Sequence, residues 1–104
     1  MAYFDSRKFE GSMKNEKPHG YGICFYVGGG IYEGQWEDGV RSGYGVYSAP
    51  DLSRYEGEWR LNLEEGFGVH SGYDGSLYYG QWSSGQREGW GDQIDVQGSK
   101  FSGR

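Results

Sequence analysis

Cysteine, proline, cationic side chains and long apolar runs are all scarce in this chain, and each shortage removes a class of protein. One cysteine, Cys24, cannot form an internal disulfide, so a disulfide-stapled secreted scaffold is excluded and a reducing compartment is the expectation. Only 2 prolines occur, and the glycines follow no three-residue period, which excludes collagen. No window approaches the length of a membrane span, no apolar leader follows Met1, and Ala2 in place of glycine removes the N-myristoylation signal. The chain therefore reads as cytoplasmic. With 10 Lys and Arg against 15 Asp and Glu, the formal net charge is −5, the wrong sign for nucleic acid and a weak one for anionic lipid.

Glycine and aromatic residues are what the chain has in excess. Of its 104 residues 21 are glycine, and only 35% are apolar, about half of them aromatic. Disordered chains are poor in aromatics because they have nothing to bury them in, whereas these stand at fixed intervals. Tyr32-Glu33-Gly34-Gln35-Trp36, Tyr55-Glu56-Gly57-Glu58-Trp59 and Tyr78-Tyr79-Gly80-Gln81-Trp82 are separated by 23 residues, with Phe9-Glu10-Gly11 and Phe101-Ser102-Gly103 at the two ends. A second cluster keeps the same step: Gly20-Tyr21-Gly22, Gly43-Tyr44-Gly45, Gly66-Phe67-Gly68 and Gly89-Trp90-Gly91. Two clusters repeating in register mark stacked supersecondary units.

The period divides the chain into a lead-in at 1–8, four units at 9–31, 32–54, 55–77 and 78–100, and the start of a truncated fifth at 101–104. The second unit shows the local logic, because Glu37-Asp38-Gly39 separates two runs of strand-favouring residues, a hairpin signal. In the first unit Glu16 stands where later units carry a turn glycine, and in the third Asn62 does, a residue that tolerates positive φ. Gly28-Gly29-Gly30, Pro50-Asp51, Asp74-Gly75-Ser76 and Gln97-Gly98-Ser99 read as links between units. A lone hairpin is marginal in water, so the units must pair side by side. At about 4.8 Å per strand, four two-stranded units make a ribbon on the order of 40 Å long. The predicted fold is all-β: an elongated, single-layer, twisted antiparallel sheet of stacked β-hairpins.

Alternation along a strand puts Tyr32, Gly34 and Trp36 on one side and Glu33 and Gln35 on the other. If the return strand adds Tyr44 and Val46 to the first side, the turn must have three or five residues, with Gly39 in a left-handed bulge position and Gly34 beneath the ring of Tyr44. That register makes one face an aromatic ladder of Tyr32, Trp36, Tyr44, Tyr55, Trp59, Phe67, Tyr78, Trp82 and Trp90. With no second layer to cover it, part of the ladder would stay wet, and an exposed apolar stripe marks a docking groove for a partner protein's amphipathic helix or extended segment. The acidic third unit, with Glu56, Glu58, Glu64, Glu65 and Asp74, would orient a basic partner.

Catalytic chemistry finds no support. His19 and His70 share no metal-type spacing with Cys24, so neither a metal site nor a cofactor is assigned. Gly28-Gly29-Gly30 lacks the lysine and helix of a phosphate loop, Glu37-Asp38 and Glu64-Glu65 fall in predicted turns, and no serine has a base at a motif position. The expectation is a protein that is not an enzyme.

Tyr-x-Gly-x-Trp, a turn glycine three residues on, then Gly-x-Gly, recurring from Phe9 to Gly103, resembles the MORN repeat, with departures at Met13, Glu16, Asn62 and Tyr79. The resemblance implies a non-enzymatic, protein-binding scaffold, in a cytoskeletal or ciliary and flagellar assembly. It also implies two alternatives: a peripheral module binding phospholipid head groups, or a regulatory segment of a larger enzyme. An array ending in an unpaired strand also offers an edge for end-to-end pairing into a homodimer.

Overall fold

A computed structural model of the chain describes residues 6–95, 97 and 100–103. Nine strands run in chain order through one antiparallel sheet, each paired with the next. They are β1 (Ser6–Lys14), β2 (Lys17–Tyr26), β3 (Ile31–Glu37), β4 (Val40–Ser48), β5 (Arg54–Arg60), β6 (Leu63–Ser71), β7 (Leu77–Ser83), β8 (Gln86–Ile94) and β9 (Lys100–Gly103). The molecule measures 46 × 24 × 16 Å, an elongated ribbon slightly longer than its strand count predicted. Among the described residues there is no helix long and apolar enough to cross a membrane. Ser6 to Lys8, expected in a lead-in, belong to β1; residues 1–5 and Arg104 lie outside the described residues.

The hairpin turns correct the predicted register. In β3–β4, Glu37 pairs with Val40, so the turn is the two residues Asp38-Gly39, not three or five. Both have positive φ, 50° and 86°, the left-handed pair that matches strand twist. The same geometry recurs at Asn15-Glu16, Leu61-Asn62 and Ser84-Gly85, where Asn62 takes the positive φ expected of it.

Beyond each turn the return strand carries a bulge. Gly34 pairs with Gly45 and Trp36 with Arg41, so the single residue Gln35 faces Ser42, Gly43 and Tyr44. The bulge repeats on β6, where Glu65, Gly66 and Phe67 face Glu58, and on β8, where Glu88, Gly89 and Trp90 face Gln81. Two extra residues preserve the alternation, and the even turn therefore sends Tyr44 and Val46 to the side of Glu33 and Gln35. Gly45 and Tyr47 take the ladder side instead.

The glycines make this geometry feasible. Gly43 has φ 96°, a left-handed conformation inside the bulge. Gly45 lies under the ring of Tyr32, where an added Cβ would stand 2.1 Å from the Tyr32 hydroxyl. A tyrosine thus covers the glycine of its hairpin partner strand, the reverse of the predicted Tyr44-over-Gly34 pairing. Turn residues also staple each unit to the one before it: Gly39, Asn62 and Gly85 donate their N–H groups to the carbonyls of Pro18, Arg41 and Glu64 at 2.9, 3.1 and 2.9 Å.

Candidate functional site

The two faces of the ribbon hold two different aromatic rows. On the ladder face Trp36, Tyr32, Trp59, Tyr55, Trp82 and Tyr78 alternate along the ribbon, each ring meeting the next edge to face at centroid distances of 5.1 to 5.5 Å. Phe9 continues the line against Trp36 at 5.5 Å. Each edge-to-face pair adds about 0.5–1.5 kcal/mol beyond its area burial. The polar tips are satisfied by backbone. Tyr32, Tyr55 and Tyr78 hydroxyls donate to the carbonyls of Gln35, Glu58 and Gln81 at 2.8 to 3.2 Å. The indole N–H groups of Trp36, Trp59 and Trp82 donate to the carbonyls of Gly22, Gly45 and Gly68 at 3.0 to 3.3 Å.

This row is its own second layer. Tyr32 is 0% exposed and Trp59 4%, because each tyrosine lies on a glycine and is flanked by tryptophans. Burial pushes the Tyr26, Tyr32 and Tyr55 hydroxyls well above the usual phenol range. Arg41 is buried within the row, its guanidinium 4.5 Å from the Trp59 ring centre and 5.6 Å from that of Tyr32.

The opposite face carries Tyr21, Tyr44, Phe67 and Trp90, the middle residues of the four Gly-x-Gly clusters, each 52–63% exposed. Their N–H groups at three bulges are capped by side chains: Tyr44 donates to Gln35 Oε1 at 2.6 Å, Phe67 to Glu58 Oε2 at 3.0 Å and Trp90 to Gln81 Oε1 at 2.9 Å. Tyr21 donates its hydroxyl to Glu33, and Tyr44 to Glu56 at 2.8 Å; these bonds raise both phenol pKa values. Clefts open between neighbouring rings. One is lined by Tyr21, Glu33, Gln35, Tyr44 and Val46, another by Phe67, Tyr79, Gln81, Trp90 and Asp92.

The family model for the MORN repeat matches residues 9–31, 32–54, 55–77 and 78–99. The chain belongs to the MORN-repeat family. MORN repeats are interaction modules for proteins or membrane lipids. No individual curated protein matches this chain.

In this MORN array the nine aromatics expected on one face divide between two. Tyr32, Trp36, Tyr55, Trp59, Tyr78 and Trp82 form the buried ladder, and Tyr44, Phe67 and Trp90 stand exposed on the far side. The ladder is not the wet stripe that a single-layer sheet was expected to leave. Tyr21 joins the exposed row, and its place between Gly20 and Gly22 is the sequence signal that could have found it. The paired carboxylates are also relocated: Glu64 and Glu65 lie in β6 and Glu37 in β3, not in turns, and Glu65 Oε1 accepts from the Ser84 N–H at 3.0 Å. His19 Nδ1 accepts from the Asp38 N–H at 3.3 Å, while His70 packs beside Trp82, so the two histidines serve separate units.

Proposed function

We propose that this MORN array is a non-enzymatic scaffold that docks a segment of a partner protein along the row Tyr21, Tyr44, Phe67 and Trp90. The observation that carries the reading is their half-exposure on one face, repeated once per unit. Exposed aromatics in series are the residues that dominate protein interfaces, and clefts between them accept side chains. Glu33, Glu56 and Glu58 border the row and favour a basic partner segment over an anionic lipid surface. A stiff ribbon with evenly spaced docking units suits a cytoplasmic scaffold in a cytoskeletal, ciliary or flagellar assembly, which is the setting we propose.

The test pairs two sets of variants in a pull-down from cytoplasmic extract. Tyr44→Ser with Phe67→Ser should abolish capture of a stoichiometric partner while the circular dichroism and melting curve stay near wild type. Glu16→Gln, outside the row, should capture as wild type does. Retention of the partner by the row variant, or its replacement by co-sedimentation with anionic vesicles, would remove the reading.

A further inference from the structure

The spacing, polarity and charge of the exposed row define the conformation of its occupant. Successive row residues stand two strands apart, so they advance by about 9.6 Å per unit along the ribbon. A polyproline II segment has three residues per turn and rises about 9.3 Å in that turn, which returns the same side of the peptide to each successive unit. An α-helix repeats its face nearest this distance at seven residues, about 10.5 Å, and drifts out of step by nearly 3 Å over three intervals. An extended β-strand alternates its side chains, so residues three apart point to opposite sides.

The chemistry along the row is graded as well. Toward the N-terminal half, Tyr21 and Tyr44 are bonded to Glu33 and Glu56, Glu56 is also paired with Arg54 at 3.3 Å, and among the described residues Glu33 and Glu58 make no ion pair. Toward the C-terminal half, Tyr79 takes the place of that glutamate and Phe67 that of tyrosine, leaving a cleft walled by three rings, Phe67, Tyr79 and Trp90. Aromatic walls about one polyproline turn apart accept proline rings, and bordering carboxylates accept arginine or lysine. We propose that the row binds a polyproline II segment in a register of three residues per MORN unit, with basic residues at the Glu33 and Glu58 clefts and proline in the Phe67–Tyr79–Trp90 cleft. The first basic residue and that proline are then six residues apart. This rests on the protein-docking reading and names the class of partner.

The test uses synthetic peptides on the folded chain. The first carries Arg-Pro-Pro-Arg-Pro-Pro-Pro-Pro-Pro. The second has the same composition but four-residue arginine spacing, and the third is an alanine-based helix of equal charge. Calorimetric titration should find the first bound at least about tenfold more tightly than the other two, with salt weakening it. Trp90→Ala should abolish that preference and Glu58→Gln, which keeps the amide-oxygen cap seen at Gln35 and Gln81, should weaken the in-register peptide, both with an unchanged melting curve. Equal binding of the shifted peptide, or of the helix, overturns the polyproline register. If the helix binds and Trp90→Ala releases it, the docking face stands without this occupant. If anionic phosphatidylserine vesicles bind and Trp90→Ala releases them while no peptide does, the occupant is a membrane. Indifference of every probe to the row variants removes both readings.

Discussion

The Arg41 guanidinium is anchored by Asn62 of the following unit: Arg41 Nη2 donates to the Asn62 carbonyl at 2.8 Å, and the Arg41 backbone N–H donates to Asn62 Oδ1 at 2.8 Å. Arg41 Nε reaches the same Oδ1 at 3.3 Å. No carboxylate is paired with this buried cation among the described residues, so ring faces and a turn residue hold it in place. Asn62 does this from a left-handed conformation, φ 71°, which binds turn chemistry to the stacking of two units.

Asn62→Ala should therefore cost about 2–3 kcal/mol, combining the loss of asparagine's tolerance of the left-handed region with the loss of an acceptor for a charged donor. Asn62→Gly keeps the turn and loses only the acceptor, so about half that loss is expected. Thermal melts of both variants check the order; a glycine variant as stable as wild type would mean the amide contributes nothing to Arg41.

Leu52 has φ 76° and is 83% exposed, at the place in its link where Gly29 and Gly75 stand in the neighbouring links. Its side chain packs little and its backbone is strained. Leu52→Gly should stabilise the sheet by about 0.5–1 kcal/mol, the relief of left-handed strain less the added entropy of an unfolded glycine. Urea unfolding measures it, and a lower midpoint would show that Leu52 makes contacts of value.

Gly68→Ala should destabilise by about 1–3 kcal/mol, because its Cβ would meet the Tyr55 hydroxyl at 2.1 Å and lift the ring from the sheet. The ring carbons Cζ and Cε1 of Tyr55 would stand at 2.3 and 2.4 Å, so Tyr55→Ser, which removes ring and hydroxyl together, is the variant that relieves the clash. Combining the two should recover part of the loss, and a double-mutant cycle by denaturant titration tests that coupling.

Alkaline pH should open the ribbon. Burial raises the Tyr26, Tyr32 and Tyr55 pKa values above the ordinary 10.0, so the stability they contribute is full below pH 10 and falls as pH rises beyond it, where the unfolded chain releases protons first. Absorbance at the tyrosinate band should show the Tyr26, Tyr32 and Tyr55 phenols ionising only as strand signal is lost. Ionisation of all tyrosines in one step with intact circular dichroism would contradict this.

The sheet was legible before any coordinates because its causes are local and repeated. A 23-residue step in two clusters, Asp38-Gly39 between strand-like runs, and too few apolar residues for a two-layer core lead to side-by-side hairpins. The family match was legible for the same reason. The face of each aromatic was not. Treating Tyr44 as buried required an odd turn, whereas the molecule uses an even turn followed by a bulge of two extra residues. The Gly-x-Gly cluster reads as an aromatic flanked by spacers, yet it is the second glycine that is buried, because a tyrosine ring of the partner strand occupies the volume its side chain would fill.

Composition and period thus determined on their own that the chain forms repeated β-hairpins whose apolar surface is aromatic. Only tertiary structure decided which rings become core and which remain available for docking. That choice depends on pairing between strands: the bulge sets where the return strand passes beneath Tyr32, Tyr55 and Tyr78, and the stacking of units places each tryptophan against the tyrosine of the unit before it. Such contacts join residues a whole repeat apart, beyond the reach of alternation within one strand.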